Sequence, residues 1–509
     1  MLVSKAECTE SNIFCIVSTE TTDVILMVRL VGLDLGTSGV RFECYDTSGQ
    51  ILATGRSQIE EETVDEWVTT LIAAVPKRNR PSSSEDIVLS AQGTSGTALL
   101  LDEYGYDLFR PLMYYEKDVE QFRKIEKQKS VRSLAERGVS ISVTSPLPKL
   151  LGIMKKYPDL FRKVRWILPA TTWLLYRLAC PEGEKWEDVS TDWTNALKFG
   201  ADITREDPSW FRPLFEEAGI PMEMLPRIVP CGEELGIARS RLAEKLGLKG
   251  ARIFQGMTDG NAAALAVGCM KDGDFGFSSG SATVIKYACS KMKPHEALYY
   301  HKHPFSGFLA GAAPVTLSTL KWFAEKIMGI SVGKAFQLAD MGDLRPEYVY
   351  FPQGDREPFH DPELGASFLK VWPEDTSKEA ARGRMFRSMV LGLTFFEYYY
   401  ITLLEKLFNH EITEANITGG GTRSPWWNKL RASIYGVPVN VMDERPGIGA
   451  LLPAVMRLGL FKDLREAQDS LLRVSGTYLP DKDLGAKYNG LRDTFLKRWQ
   501  IVKEISAAS

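Results

Sequence analysis

Two aspartates and a handful of glycine-bearing turns are the residues of this chain best suited to act together on a phosphate. Asp34 stands just before Gly36-Thr37-Ser38-Gly39, a loop of small residues between the apolar runs Val31–Leu35 and Val40–Tyr45. Such a hairpin can aim backbone N–H groups at an anion, and a carboxylate at its lip can hold a metal ion or an attacking hydroxyl beside a phosphate. Taken alone, the stretch also reads as an ordinary buried hairpin. The pattern recurs about half a chain later, however, where GDFGFSSGSATVIKYA sets Ser278-Ser279-Gly280-Ser281 between two more apolar strands. Two such hairpins predict two halves of related architecture, each turning a phosphate-binding loop toward a nucleotide held between them.

The second aspartate lies in IFQGMTDGN, where a strand passes through Gly256-Met257-Thr258-Asp259-Gly260 into an alanine-rich helix. An Asp at a helix start is commonly an N-cap. A carboxylate exposed at a strand end in a cleft is also a natural general base, and the flanking hairpins favour that role. Further on, Gly419-Gly420-Gly421-Thr422-Arg423 precedes a helix from about Pro425. Glycines let backbone approach a flat or phosphorylated ligand, and the following helix dipole favours phosphate. Trp426 and Trp427 read as core or cleft wall, and Trp427, which follows the glycines by about one helical turn, also has a case for stacking on a purine.

The elements that must position these groups follow from periodicity and punctuation. Gln50–Gln58 reads as a third strand, Asp65–Val75 as an amphipathic helix, Asp86–Ser90 and Thr97–Asp102 as strands. Between the last two, Ala91–Gly96 reads as a small-residue loop, either a ligand contact carrying Thr94 and Ser95 or a plain turn. Trp166–Ala179 is nearly apolar throughout and predicts a buried helix; Asp188–Ile203 is polar and turn-rich. FLAGAA, with Gly311, reads as a small-residue strand or turn, and Arg387–Phe408 as a long aromatic-rich helix. His301 and His303 have no further ligand at metal spacing and read as a surface loop.

Size and composition set the outer bounds. With 509 residues, 44% hydrophobic and 25% charged, the chain has room for two or three sizeable cores. A net charge of −3 with no basic cluster argues against nucleic acid, and no apolar run reaches the roughly 20 residues of a membrane span. Seven scattered cysteines without a C-x-x-C pair suit a reduced, intracellular protein. Residues 1–28 carry Glu7, Glu10, Glu20 and Asp23 against one lysine, which fits neither an Arg-rich transit peptide nor a secretory signal; they read as an extension or a leader remnant.

In this order and at this spacing the motifs resemble the FGGY family of carbohydrate kinases, over nearly the whole chain from about residue 30 to 500. GLDLGTSGVR is similar to the family's first phosphate motif, GMTD to its catalytic segment, FSSGSAT to its second phosphate motif and GGGTRSPWWN to its adenosine motif. Gly354–Pro358 and Gly447–Ala454 match further family signposts. The resemblance implies an α/β fold of two actin-like, ribonuclease-H-like domains, residues 29–273 on the sugar side and 274–509 on the ATP side, flanking a deep cleft. It implies phosphoryl transfer from ATP with Mg²⁺ to a sugar hydroxyl. Asp259 would be the base, and Asp34 would orient sugar and Mg²⁺, the metal through water. Gly36, Thr37, Ser38, Gly280 and Ser281 would cradle the phosphates, Gly420, Gly421 and Trp427 would line the adenosine, and Gly311 and Ser424 would also contact ATP. Ser38, Gly39, Arg41, Thr94 and Ser95 would face the sugar or the transferred group, with strand-surface decoration the other reading of Arg41.

The departures concern the sugar side. Gln92–Gly96 lacks the histidine of xylulose-type kinases, Tyr115-Glu116-Lys117 replaces Trp-Asn-Asp, Thr172 replaces an Asp, Ser281 a Thr and Leu391 a Glu. The chain is most similar to the plant and cyanobacterial xylulose-kinase-like group, which implies D-ribulose ahead of D-xylulose and a chloroplast address, with the cytoplasm as alternative. Another sugar or a polyol such as glycerol is the neighbouring reading. A rival of another class is an actin-fold protein that hydrolyses ATP slowly and acts through partners. A small-molecule sugar, a monomer or homodimer, and no nucleic-acid or membrane partner complete the expectations.

Overall fold

The computed structural model describes residues 28–78, 86–280, 282–305, 307–313, 317–341, 349–351, 367–369 and 378–507. The extension at 1–27, Ser281 and the signpost Gly354–Pro358 lie outside these described residues.

The first half builds one mixed sheet from β1 (Val28–Leu35), β2 (Gly39–Tyr45), β3 (Ile51–Gln58), β4 (Asp86–Gly93), β5 (Glu234–Ile237), β6 (Arg252–Phe254) and β7 (Met257–Thr258). Their order is β5-β6-β4-β1-β2-β3, with β7 also paired to β4. β1, β2 and β3 are antiparallel, whereas β4 runs parallel to β1 and to both β6 and β7. β1 is central and covered on both faces, which is why VRLVGLDL is apolar almost without alternation. α1 (Val64–Ala74) covers one face through Trp67 and Leu71, and Thr63 caps its start.

The second half repeats this plan with β8 (Phe275–Ser279), β9 (Thr283–Cys289), β10 (Tyr299–Lys302), β11 (Phe308–Ala312), β12 (Ala415–Thr418), β13 (Val439–Met442) and β14 (Val474–Tyr478). The order is β10-β11-β9-β8-β12-β13-β14. Here β8 takes the place of β1, antiparallel to β9 and parallel to β12. Both sheets therefore share a core of three antiparallel strands followed by parallel ones, as ribonuclease-H-like domains do.

Helices join the halves. α2 (Trp193–Phe199) packs against β7 and β10. α3 (Asp259–Ala266) follows β7 directly. α4 (Val332–Met341), α5 (Glu379–Phe408) and α6 (Pro425–Tyr435) support the second sheet. α7 (Pro446–Arg457) crosses back to lie on β1, β4 and α3. The crossing needs small residues: a Cβ on Gly449 would meet the Ala262 carbonyl at 1.9 Å. Leu30, Val88, Phe254, Leu265, Ile448 and Leu451 share one buried cluster at this seam.

Three local expectations change. Ala91-Gln92-Gly93 belongs to β4 itself, leaving Thr94–Thr97 as the turn. Asp188–Ile203 holds a buried strand and α2, because its polar residues bond one another: Asp192 caps α2 by accepting from Thr194 and Asn195. His301 lies in β10, and His303 is fully buried, donating from Nε2 to the Cys269 carbonyl at 3.1 Å and accepting at Nδ1 from the Phe305 amide. No described helix is long and apolar enough to cross a membrane.

Candidate active site

Sheet register brings the two aspartates to one end of the first sheet. Asp34 lies beside Gln92 in β4, and Gln92 lies beside Met257 in β7, so Asp259 emerges two residues after the strand position level with Asp34. Two strand spacings separate the backbones by about 10 Å, a gap that two side chains leaning inward can narrow. The Asp259 charge does act on Asp34. Asp34 is pushed up to about 6, first by burial and then by the Asp259 carboxylate, against the pull of Arg41 and a hydrogen bond from Gln92. Asp259 is open to water at the floor of the cleft but enclosed by its walls. That loss of surrounding solvent raises its pKa, while the Gly260 amide, at 2.7 Å, and the charges of Lys198 and Lys286 pull the other way.

The first loop is closed by Gly36, whose amide donates to the Gly39 carbonyl at 3.0 Å. That amide is used inside the hairpin, so the anion-facing donors are those of Thr37 and Ser38, which make no bond within the described residues. Gly39 is buried at the head of β2, against Gln58 of β3. Thr37 reaches Tyr114 at 3.5 Å. Thr94 is nearly buried, its hydroxyl 2.7 Å from that of Thr97, and the buried Ser95 hydroxyl has no hydrogen-bond partner among the described residues. Arg41 faces Glu444 across the lobes at 3.3 Å.

A cavity of about 770 Å³ opens on the second lobe, walled by Gly280, Phe336, Gly420, Gly421, Ser424 and Trp426 among others. Ser424 caps α6, accepting from the Trp427 amide, so the helix start faces this space. Gly280 uses its own amide to bond the Ala282 carbonyl, leaving the Gly420 and Gly421 amides as donors there. A Cβ on Gly421 would meet the Ser279 hydroxyl at 2.2 Å, so the glycine turn sits directly on the end of β8.

Two expected nucleotide contacts are placed elsewhere. Trp427 is fully buried: its Nε1–H donates to Thr394 at 2.9 Å, its ring stacks on Phe336, and the Arg431 guanidinium covers it at 3.8 Å. Trp426, its neighbour, lines the cavity instead. Gly311 lies in β11 under the Tyr299 ring, which a Cβ would meet at 2.8 Å, and it is not among the residues lining the cavity.

Sequence reasoning missed the brace behind the glycine turn. Arg431 holds Glu397 through two bonds of 3.0 and 2.7 Å and reaches the Gly421 carbonyl and the Ser279 hydroxyl, while Tyr435 donates to the same carboxylate. Arg431 and Glu397 are 0 and 2% exposed, so this paired charge fixes the glycine turn to the end of β8. Polar residues on a long aromatic helix gave no signal of that.

This geometry is a two-lobed cleft with carboxylates on one side and a glycine-lined cavity on the other. The pattern described as the FGGY family of carbohydrate kinases, N-terminal domain, matches residues 29–266, and its C-terminal domain matches residues 314–458. The chain belongs to the FGGY family of carbohydrate kinases. It is 21% identical over 502 residues to a xylulose kinase of Staphylococcus epidermidis, covering 94% of this chain and 98% of that one. In three dimensions it is similar to ligand-bound xylulose kinase from Lactobacillus acidophilus, with a TM-score of 0.78, 17% identity and coverage of 94% and 99%. It is as similar to Plasmodium falciparum glycerol kinase with ADP, with a TM-score of 0.79, 16% identity and coverage of 93% and 98%. The enzyme is thus a sugar kinase on an FGGY fold, and the fold alone does not choose among acceptors.

Proposed function

We propose that this FGGY kinase transfers the γ-phosphoryl group of ATP to the primary hydroxyl of a ketopentose, D-ribulose ahead of D-xylulose. The observation that carries the reading is the pair Asp34 and Asp259 at one sheet end, in a chain whose second lobe holds a cavity lined by Gly280, Gly420 and Gly421. Phosphoryl transfer asks a protein for positioning and charge stabilisation more than for covalent chemistry. Asp259, its pKa raised by enclosure, would take the proton of the attacking hydroxyl. Thr37 and Ser38 would donate to the transferred phosphate, and Gly420 and Gly421 to the nucleotide. Asp34, whose pKa is raised by burial and by the Asp259 carboxylate, also suits a divalent cation and would hold Mg²⁺ through water. When bound, the ion would neutralise charge on the β- and γ-phosphates.

The preference for D-ribulose rests on the altered sugar side. Gln92 supports Asp34 where the xylulose type has a different loop, and Tyr115, in the place of the usual Trp-Asn-Asp, donates to Glu62. The curated xylulose kinases found keep D-xylulose as the second reading. A chloroplast setting rests on the plant-group resemblance alone.

The test is ADP release by the pure protein with ATP and Mg²⁺ across pentuloses, pentoses, gluconate, glycerol and a no-sugar blank, with Asp259→Ala in parallel. A rate strongest with D-ribulose and abolished in the variant, with ATP binding nearly unchanged, is the expected result. A wild-type rate that no acceptor raises would overturn the reading, and persistent turnover in Asp259→Ala would remove that residue as the base.

A further inference from the structure

Two further polar side chains, Lys198 and His301, lie near the Asp259 turn. Lys198 comes from the last turn of α2, and its stem lies over the Thr94–Thr97 turn: a Cβ on Gly96 would meet the stem carbons at 3.5 to 3.9 Å. α2 is tied to the strand before the base, since the Thr258 amide donates to the Thr194 hydroxyl at 3.0 Å. His301 comes from β10, against which α2 also packs. Lys198 and His301 therefore approach the Asp259 turn from opposite lobes.

The tautomer of His301 follows from its neighbours. Its Nδ1 lies 2.7 Å from Asn261 Oδ1, two residues after the base. The Asn261 amide cannot be turned the other way, because its Nδ2 donates to the Lys302 carbonyl, which only accepts. Nδ1 must then carry the hydrogen, and Nε2 is left with a lone pair. No group among the described residues bonds Nε2, and the ring is partly exposed, resting 5.3 Å from the Tyr299 ring. Burial, then the charges of Lys286 and Lys198, hold the imidazole well below its ordinary pKa, so it stays neutral. The charges of the same two lysines also act on Asp259.

We propose that His301 and Lys198 are acceptor-discriminating residues, the His301 Nε2 accepting a hydrogen bond from one sugar hydroxyl and the Lys198 amine donating to another. An acceptor lacking the matching hydroxyl would leave a cleft-floor lone pair unsatisfied, the situation in which a polar site rejects analogues most strongly. Phe at 301 would keep the ring contact with Tyr299 and remove the acceptor, whereas Gln would return a polar atom near the place of Nε2.

This rests on the sugar lying between Asp34 and Asp259, so the experiment separates the two ideas. Steady-state constants are measured for wild type, His301→Phe, His301→Gln and Lys198→Met, on the acceptor that the wild type turns over fastest and on its monodeoxy analogues, beginning with D-ribulose and D-xylulose. His301→Phe should raise the sugar KM about tenfold or more, the loss expected for one hydrogen bond, with the ATP KM within about twofold. His301→Gln should recover most of that loss, and Lys198→Met should raise the sugar KM without moving the ATP KM. One deoxy analogue should be poor for the wild type yet no worse than the parent sugar for His301→Phe, a pattern that a structural role would not give. An active wild type whose variants keep the same sugar KM, or lose sugar and ATP affinity equally, overturns the inference alone. A wild type inert toward every acceptor removes the substrate reading and this inference together.

Discussion

A carboxyl that keeps its proton up to about pH 6 at the end of a core strand is costly to the fold and useful to a kinase. Asp34 is in that position because enclosure and Asp259 both disfavour its charge. The sign follows from linkage: a raised carboxylate pKa favours the protonated folded state, so stability is full below the ordinary value of 3.8 and is lost as pH rises to about 6. A shift of that size corresponds to at most about 3 kcal/mol. Asp34→Asn should therefore raise the unfolding free energy at pH 7.5 in the absence of nucleotide, with the gain fading toward pH 4, while transfer falls sharply. Urea unfolding at the two pH values decides this, and an equal gain at both would assign the effect to packing. At this scale the two aspartates were legible because each sits beside glycines at a strand end. Gln92 was not, because small neighbours made the end of β4 look like a loop.

The elements show where spacing stops being informative. One helical turn from the glycines fixes how far along α6 a residue lies, but neighbours in a helix point about 100° apart, and WW offers two candidates. The choice between Trp426 and Trp427 was made by Phe336, Thr394 and the buried Arg431, all remote in sequence or on the far side of the helix. The two tryptophans should separate in one experiment. Trp427→Ala opens a hole in the core and should cost about 3–5 kcal/mol of stability. Trp426→Ala should leave the urea midpoint close to wild type while raising the ATP KM about tenfold, since its ring, unlike that of Trp427, walls the cavity. If both variants lost stability and neither changed ATP affinity, the cavity would not be the adenosine site. α2 escapes the pattern for a related reason: a polar stretch reads as turns, whereas Asp192, Thr194 and Asn195 satisfy one another inside the protein.

At the scale of the molecule, two sheets of the same strand order are held by a helix that leaves the second and returns to the first. The repeated hairpins made the duplication legible, but nothing in the order of residues showed that α7 would fasten onto β1 and α3. The segment leading into α7 carries Glu444, and this is what Arg41 meets across the cleft, at 3.3 Å with side chains 29 and 57% exposed. A pair so exposed is worth no more than about 1 kcal/mol, so it is a weak tether and an easily broken one. If Arg41 turns to the transferred phosphoryl group during the reaction, Glu444 competes with the substrate for it. Glu444→Gln should then leave the unfolding midpoint unchanged and lower the ATP KM about two- to threefold at low salt, the gain shrinking as salt screens the competition. Arg41→Ala should lower kcat in the same assays. An unaltered ATP KM in Glu444→Gln, with normal kcat in Arg41→Ala, would make the pair a lobe contact and remove Arg41 from the chemistry.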